Sequence, residues 1–176
     1  MIFNNHSNKS LAIALTLFVM FITPGCFTVN YSLSGASIHP SIKNASVQYF
    51  QNRAPIVTPG LSQQVTDLLK DKILSDTDLQ VTNGYGDVDF NGEIVTFNTR
   101  PLAIQSDNNV AQNRFTIGIK VSFTNMVEPE NDFESSFSRY RDYSSSMSFQ
   151  DAQSTYSEEI LDELIEDIFN KAFVNW

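Results

Sequence analysis

Apolar and polar positions along the chain change period several times, and each change marks an element. Leu11 to Ile22 is an unbroken run of 12 largely apolar residues, short of the roughly 20 that a helix needs to cross a hydrocarbon core. Phe27, Val29, Tyr31 and Leu33 then alternate with Thr28, Asn30 and Ser32, the period of two that predicts a half-buried strand. Gly35 and Pro40 interrupt it, and Ala45 to Phe50 predicts a second short strand with Val47 and Tyr49 on one side. Gln51 to Val57 reads as a turn or loop. Beyond it the period lengthens. Leu61, Val65, Leu68, Leu69 and Ile73 recur at helical spacing, with Gln63, Gln64, Asp67, Lys70 and Asp71 opposite them. Thr58 followed by Pro59 predicts the N-cap and first helical position, and Ser75, Asp76 and Asp78 mark the helix end.

Strand signals follow over 79–82, 88–99, 114–125 and 133–143. Phe115, Ile117, Ile119, Val121 and Phe123 alternate without a miss, so one side of that strand faces a core. The link Met126 to Asp132, with Glu128, Pro129, Glu130 and Asn131, suits a hairpin connection. Arg100 to Asn113 is predicted to be a long polar loop, a length associated with function or mobility. After serine-rich residues 144–149, Thr155 and Glu158 predict a capping box. The helix it opens carries Tyr156, Ile160, Leu161, Leu164, Ile165, Ile168, Phe169, Ala172 and Phe173 as one stripe towards Trp176. Glu158, Glu159, Asp162 and Glu163 lie early in it and Lys171 late, as the macrodipole favours, and they read as a solvated acidic face. This order of elements predicts an α+β two-layer sandwich: a largely antiparallel, or mixed, sheet with two helices on one face.

The N-terminus changes the picture. His6 and Lys9, the apolar run and then Thr23-Pro24-Gly25-Cys26 reproduce the three-part layout of a secretory signal. The lone cysteine falls where such a signal is cut and resembles the lipobox of bacterial lipoproteins. Residues 1–25 are therefore expected to be a lipoprotein signal peptide, and Cys26 the lipidation site. A diacylglycerol thioether with further acylation, such as palmitate, would hold the protein on a bilayer. Residues 26–176 remain, of a size for one domain with a real core. Cys26 is the one cysteine in them, so no internal disulfide can form. The full chain carries a formal charge of −9, and losing Lys9 makes it −10. Such a surface repels nucleic acid, so no nucleic-acid partner is expected.

Candidate chemistry is thin. Outside the signal, histidine occurs only at His39, beside Pro40, which fits a loop better than a triad or a zinc site. Asp87-Val88-Asp89-Phe90-Asn91-Gly92 reproduces half of a calcium loop, but Asn98 stands where a bidentate Glu is required. It reads instead as a strand with a glycine bulge. Gly84-Tyr85-Gly86 is a turn, since no helix follows to make a phosphate site. Asp87 and Asp89 share a strand face, which leaves paired-carboxylate hydrolysis formally open. The Asn30 and Asn44 glycan-acceptor patterns carry little weight, because such triplets arise often by chance. No catalytic residue, metal or cofactor is expected. Arg53, Arg100 and Arg114 flank predicted strands, and gathered at one end of the sheet they would meet phosphates. The alternative is three separate solvated arginines.

The run from Val47 to Pro55 (VQYFQNRAP), Leu61-Ser62-Gln63 opening a helix, Asn113 to Ile117 (NRFTI) and Glu166 to Ala172 (EDIFNKA) resemble the LptE-like lipopolysaccharide-assembly lipoproteins. The resemblance runs from Tyr31 to Trp176. It implies a non-enzymatic lipoprotein on the periplasmic side of the outer membrane, paired with the LptD-type β-barrel as a plug and assisting lipopolysaccharide transport. The family's lipopolysaccharide contacts are basic residues, for which Arg53, Arg100 and Arg114 are the candidates by position. The rival reading is a periplasm-facing lipoprotein that binds a small ligand or another envelope protein, with no barrel partner.

Overall fold

The computed structural model describes residues 38–102 and 111–174. Cys26, the strand predicted over 27–33, Trp176 and the centre of the predicted long loop lie outside them. In chain order the elements are β1 (Asn44–Val47), β2 (Gln51–Asn52), α1 (Leu61–Asp76), β3 (Gln80–Thr82), β4 (Val88–Pro101), β5 (Gln112–Asn125), β6 (Phe133–Ser144) and α2 (Phe149–Phe173), with a 3-10 turn at Pro129–Asn131 between the last two strands.

The sheet is mixed, in the order β3-β1-β4-β5-β6, with β2 also on β4. The three long strands form an antiparallel meander, whereas β1, β2 and β3 pair in parallel. Parallel neighbours need a crossover, and α1 supplies the one between β1 and β3. β1 and β2 are collinear pieces along β4. They pair with Val88–Phe90 and with Glu93–Ile94 respectively. The strand predicted over 45–50 therefore ends at Val47, and the predicted loop contains β2. The reason lies between them: Phe50 is fully buried, and its N–H donates to Thr66 Oγ1 of α1 at 3.1 Å. That local turn puts Tyr49 in solvent while Val47 stays buried, so the two do not share a side.

One sheet face packs on both helices. Val88, Phe90, Ile94 and Phe97 of β4 and the five alternating residues of β5 meet Leu61, Val65, Leu69 and Ile73 of α1 and the Ile160–Phe173 stripe of α2, all buried. Edge-on phenylalanine pairs link the layers, with Phe115–Phe149 centroids 5.5 Å apart and Phe90–Phe173 5.8 Å, a geometry that adds to simple burial.

Three boundaries differ from expectation. The α1 N-cap is Gly60, not Thr58, at φ 82°, a left-handed conformation that favours glycine; Thr58 instead closes the preceding turn by accepting from Leu61 N. Helix α2 begins two turns before the predicted Thr155 box. Its N-cap is Ser148, whose side chain accepts from Asp151 N at 3.1 Å, and Thr155 bonds back to Asp151 O inside the helix. The bulge in β4 falls between Ile94 and Thr96 and not at Gly92, which faces Val121 in regular pairing. Gly92 is required for space: a Cβ there would lie 2.5 Å from Phe50 Cε1 and 2.6 Å from the Lys120 carbonyl oxygen.

Candidate functional site

The second face of the β4–β5–β6 meander bears no helix or strand among the described residues. Opposed residues of an antiparallel pair share a face, so the register lays this one out in rows. Asn91 faces Ser122, Glu93 faces Lys120, Asn98 faces Thr116, and Arg100 faces Arg114. On β6, Glu134, Ser136, Tyr140 and Asp142 continue the rows from Ser122, Lys120, Thr116 and Arg114. Ions link neighbours across it: Lys120 Nζ lies 2.5 Å from Glu134 Oε1. Tyr85 in the β3–β4 turn is 81% exposed, Tyr49 58% and Tyr140 48%.

The structure brings two of the three predicted arginines together. Arg100 and Arg114 are cross-strand partners because β4 and β5 extend into the predicted loop, through Pro101 and back from Gln112. Arg114 donates through Nε and Nη2 to the two oxygens of Asp142 at 2.7 and 2.8 Å, and its guanidinium stacks 3.6 Å from the Tyr140 ring centroid. That fork holds the Asp142 carboxyl below its usual range. Arg100 is exposed and has no carboxylate partner among the described residues. Two opposed cations repel. Asp142 balances only one of them, so among the described residues these three side chains carry a net positive charge. Arg53 lies elsewhere. Its N–H donates to Ile94 O at 2.8 Å, and its guanidinium reaches Gln51 at 2.8 Å and Glu93 at 3.9 Å. It is level with the middle of β4, roughly 15 Å from Arg100 at the rise of a strand.

The other candidates are occupied structurally. Asp87 Oδ2 accepts from Lys43 N at 2.7 Å and Asn44 N at 2.9 Å, bonds that lower its pKa. Asp89 is buried and accepts from Ser46 Oγ and from Gln48 Nε2 at 2.6 Å. Ser46 Oγ also accepts from Gly86 N at 3.0 Å, which folds the Gly84–Gly86 turn back over β1. His39 is an exposed loop residue whose Nδ1 accepts from Ser41 N. The acidic side of α2 is not wholly solvated as expected. Arg141 reaches from β6 to Glu159 at 2.9 Å and Glu163 at 2.5 Å, and Arg139 to Asp167 at 2.6 Å; Glu158 and Asp162 are exposed.

A model of the LptE lipopolysaccharide-assembly family matches residues 42–172. The chain belongs to that family. The match takes in α1, every strand described here and all but the last residue of α2. Hypothetical protein CT253 from Chlamydia trachomatis superposes with a TM-score of 0.51 over 77% of this chain and 100% of that one, at 6% identity. A minor lipoprotein from Acinetobacter baumannii gives 0.47 at 11% identity over 74% and 91%, and rare lipoprotein B from Shewanella oneidensis 0.43 at 13% over 74% and 90%. At these identities the likeness concerns the fold alone. No curated protein matches the sequence. Sequence reasoning missed the three exposed tyrosines and Lys120. For Lys120 and Tyr140 the signal was present in the strands, where the positions alternating with the apolar ones are the bare face; Tyr49 and Tyr85 lie outside strands and carry no such mark.

Proposed function

We propose that this LptE-family protein is a non-enzymatic outer-membrane lipoprotein, anchored through Cys26 on the periplasmic side, that partners and plugs an LptD-type β-barrel in lipopolysaccharide transport. The observation that carries the reading is the uncovered sheet face. It is polar and laced with charges, and it buries nothing within the described fold. The interiors of outer-membrane barrels are polar while their outer surfaces are apolar. A polar sheet face suits such a lumen, whereas an apolar one would suit lipid or another core.

Polarity within the domain supports the same reading. The chain joins the sheet at β1, whose Ala45 pairs with Val88 at the start of β4. Arg100 and Arg114 lie at the opposite end of β4, roughly 40 Å away at 3.3 Å per residue. The cationic pair at that end is free to meet lipopolysaccharide phosphates. With Asp142 engaging Arg114, Arg100 is the first contact and Arg114 the second, reached by displacing Asp142. Arg53 stands apart from this pair and contacts glycolipid, if at all, at another point.

The test is recovery of the full-length lipoprotein from its native membranes in mild detergent, with mass spectrometry of what accompanies it. A stoichiometric LptD-type barrel is the expected result. The lipoprotein alone, from membranes that contain the barrel, would overturn the reading in favour of a ligand-binding lipoprotein. Replacing Cys26→Ser is expected to release the protein from the membrane fraction and remove the acyl mass from its first mature residue.

A further inference from the structure

Between Tyr49 on one side and Lys120 and Ser122 on the other, the bare sheet face sinks into a cleft of about 300 Å³ towards the start of β4. Its floor is the β4 backbone at Gly92, flanked by Asn91 and Glu93. We propose that this cleft is a saccharide subsite that takes one uncharged sugar ring of a glycan. The inference rests on the envelope-assembly reading only for the source of that glycan. The chemistry of the cleft stands apart from it, and apart from the arginine pair at the far end of the strands.

The lining decides the ligand class by elimination. The charged groups of the lining are answered within the protein, Glu134 by Lys120 at 2.5 Å and Glu93 by Arg53 at 3.9 Å, so neither a free anion nor a free cation finds an unpaired charge there. The walls are more polar than apolar, which disfavours an acyl chain. What remains is a flat neutral molecule dense in hydroxyls. Tyr49, 58% exposed, offers an aromatic face to the C–H side of a sugar ring. Asn91 and Gln51 offer amides that both donate and accept, and Ser122 a hydroxyl. One aromatic ring beside several groups that donate and accept suits a ring dense in hydroxyls. The close packing beneath Gly92 fixes the floor, since no side chain larger than hydrogen fits there without moving Phe50 or the β5 backbone.

The experiment is saturation-transfer NMR on the full lipoprotein, held in a detergent without a sugar headgroup, with two probes: an N-acetylglucosamine oligosaccharide and the delipidated core oligosaccharide of lipopolysaccharide. Saturation of at least one probe is expected, weakened about fivefold or more by Tyr49→Ala and unchanged by Tyr85→Ala, which alters an exposed tyrosine outside the cleft. Whichever probe responds identifies the source. Ser122→Ala, which barely alters volume, keeps the test valid if the tyrosine variant fails to fold, and is expected to weaken binding in the same direction. Failure of both probes to bind the wild-type protein, or binding indifferent to Tyr49→Ala and Ser122→Ala, would overturn the proposal. Neither result bears on recovery of a barrel, so the two readings fail separately.

Discussion

At the scale of single residues, the positions that matter most are those where backbone or charge leaves no alternative. Gly92 has no room for a side chain against Phe50 and the Lys120 carbonyl, so Gly92→Ala is expected to destabilise the protein by about 1–3 kcal/mol through overpacking, read as a lower urea midpoint with an unchanged slope. The sequence marks Gly92 as special through a calcium-like motif but for the wrong reason. It carries no trace of Phe50, 42 positions earlier, lying under it. Arg100 and Arg114 were legible as basic residues beside strands. Their adjacency was not, because strand pairing continues past the last apolar position into residues that look like loop. Their balance with Asp142 makes a directional prediction. Asp142→Asn should strengthen binding of phosphate-bearing glycolipid and Arg100→Glu weaken it, both measured by titration at fixed salt. Equal affinity in all three proteins would remove the pair from glycolipid recognition.

At the scale of elements, α2 is held by its apolar stripe, its cap and a row of ion pairs to the edge strand. Ser148 satisfies the first-turn Asp151 N–H, and Ser148→Ala should cost about 1 kcal/mol. The Thr155–Glu158 pattern mimicked this cap because capping residues are also tolerated inside a helix, where Thr155 bonds back to Asp151 O. The start of α2 was therefore obscured by the serine-rich run, while its stripe was plain from period alone. Arg139 and Arg141 sit on the helix-facing side of β6, opposite Ile117 and Phe115, where alternation alone would place apolar residues; they reach past the core to the acidic edge of α2. Hydrogen bonding to Arg141 holds the Glu159 carboxyl below its usual value, and Lys72 and Arg114 do the same for Asp76 and Asp142. Carboxylates with depressed folded-state pKa values stabilise the fold above their unfolded values, 3.8 for Asp and 4.5 for Glu, and that contribution is lost as pH falls through the lower folded values. Stability from these groups should thus be level between about pH 7 and pH 5 and decline below about pH 4. Arg141→Met should flatten part of that decline; an identical acid profile in the variant would show that the α2–β6 ion pairs contribute nothing.

At the scale of the whole molecule, two helices and a mixed sheet form one packed layer pair and, among the described residues, leave the opposite sheet face bare. Alternation in β5 revealed that one face is buried, and the two helical stripes revealed what covers it. Sheet order was beyond reach, since β1, β2 and β3 are two to four residues long and carry too few positions to declare parallel pairing. The two-layer sandwich expected from the order of elements agrees with the architecture, and the barrel reading gives the bare side a purpose. If that side lines a barrel wall, contacts should come from the polar rows and not from the helix layer. Site-specific photo-crosslinking in intact cells tests this directly, with the crosslinker placed at Ser138 or Asn98 on the bare face and at Leu74, an exposed position of α1. The account predicts adducts with an LptD-type barrel from Ser138 and Asn98 and none from Leu74. Adducts from Leu74 alone, or none from the sheet positions while the barrel is present, would contradict it.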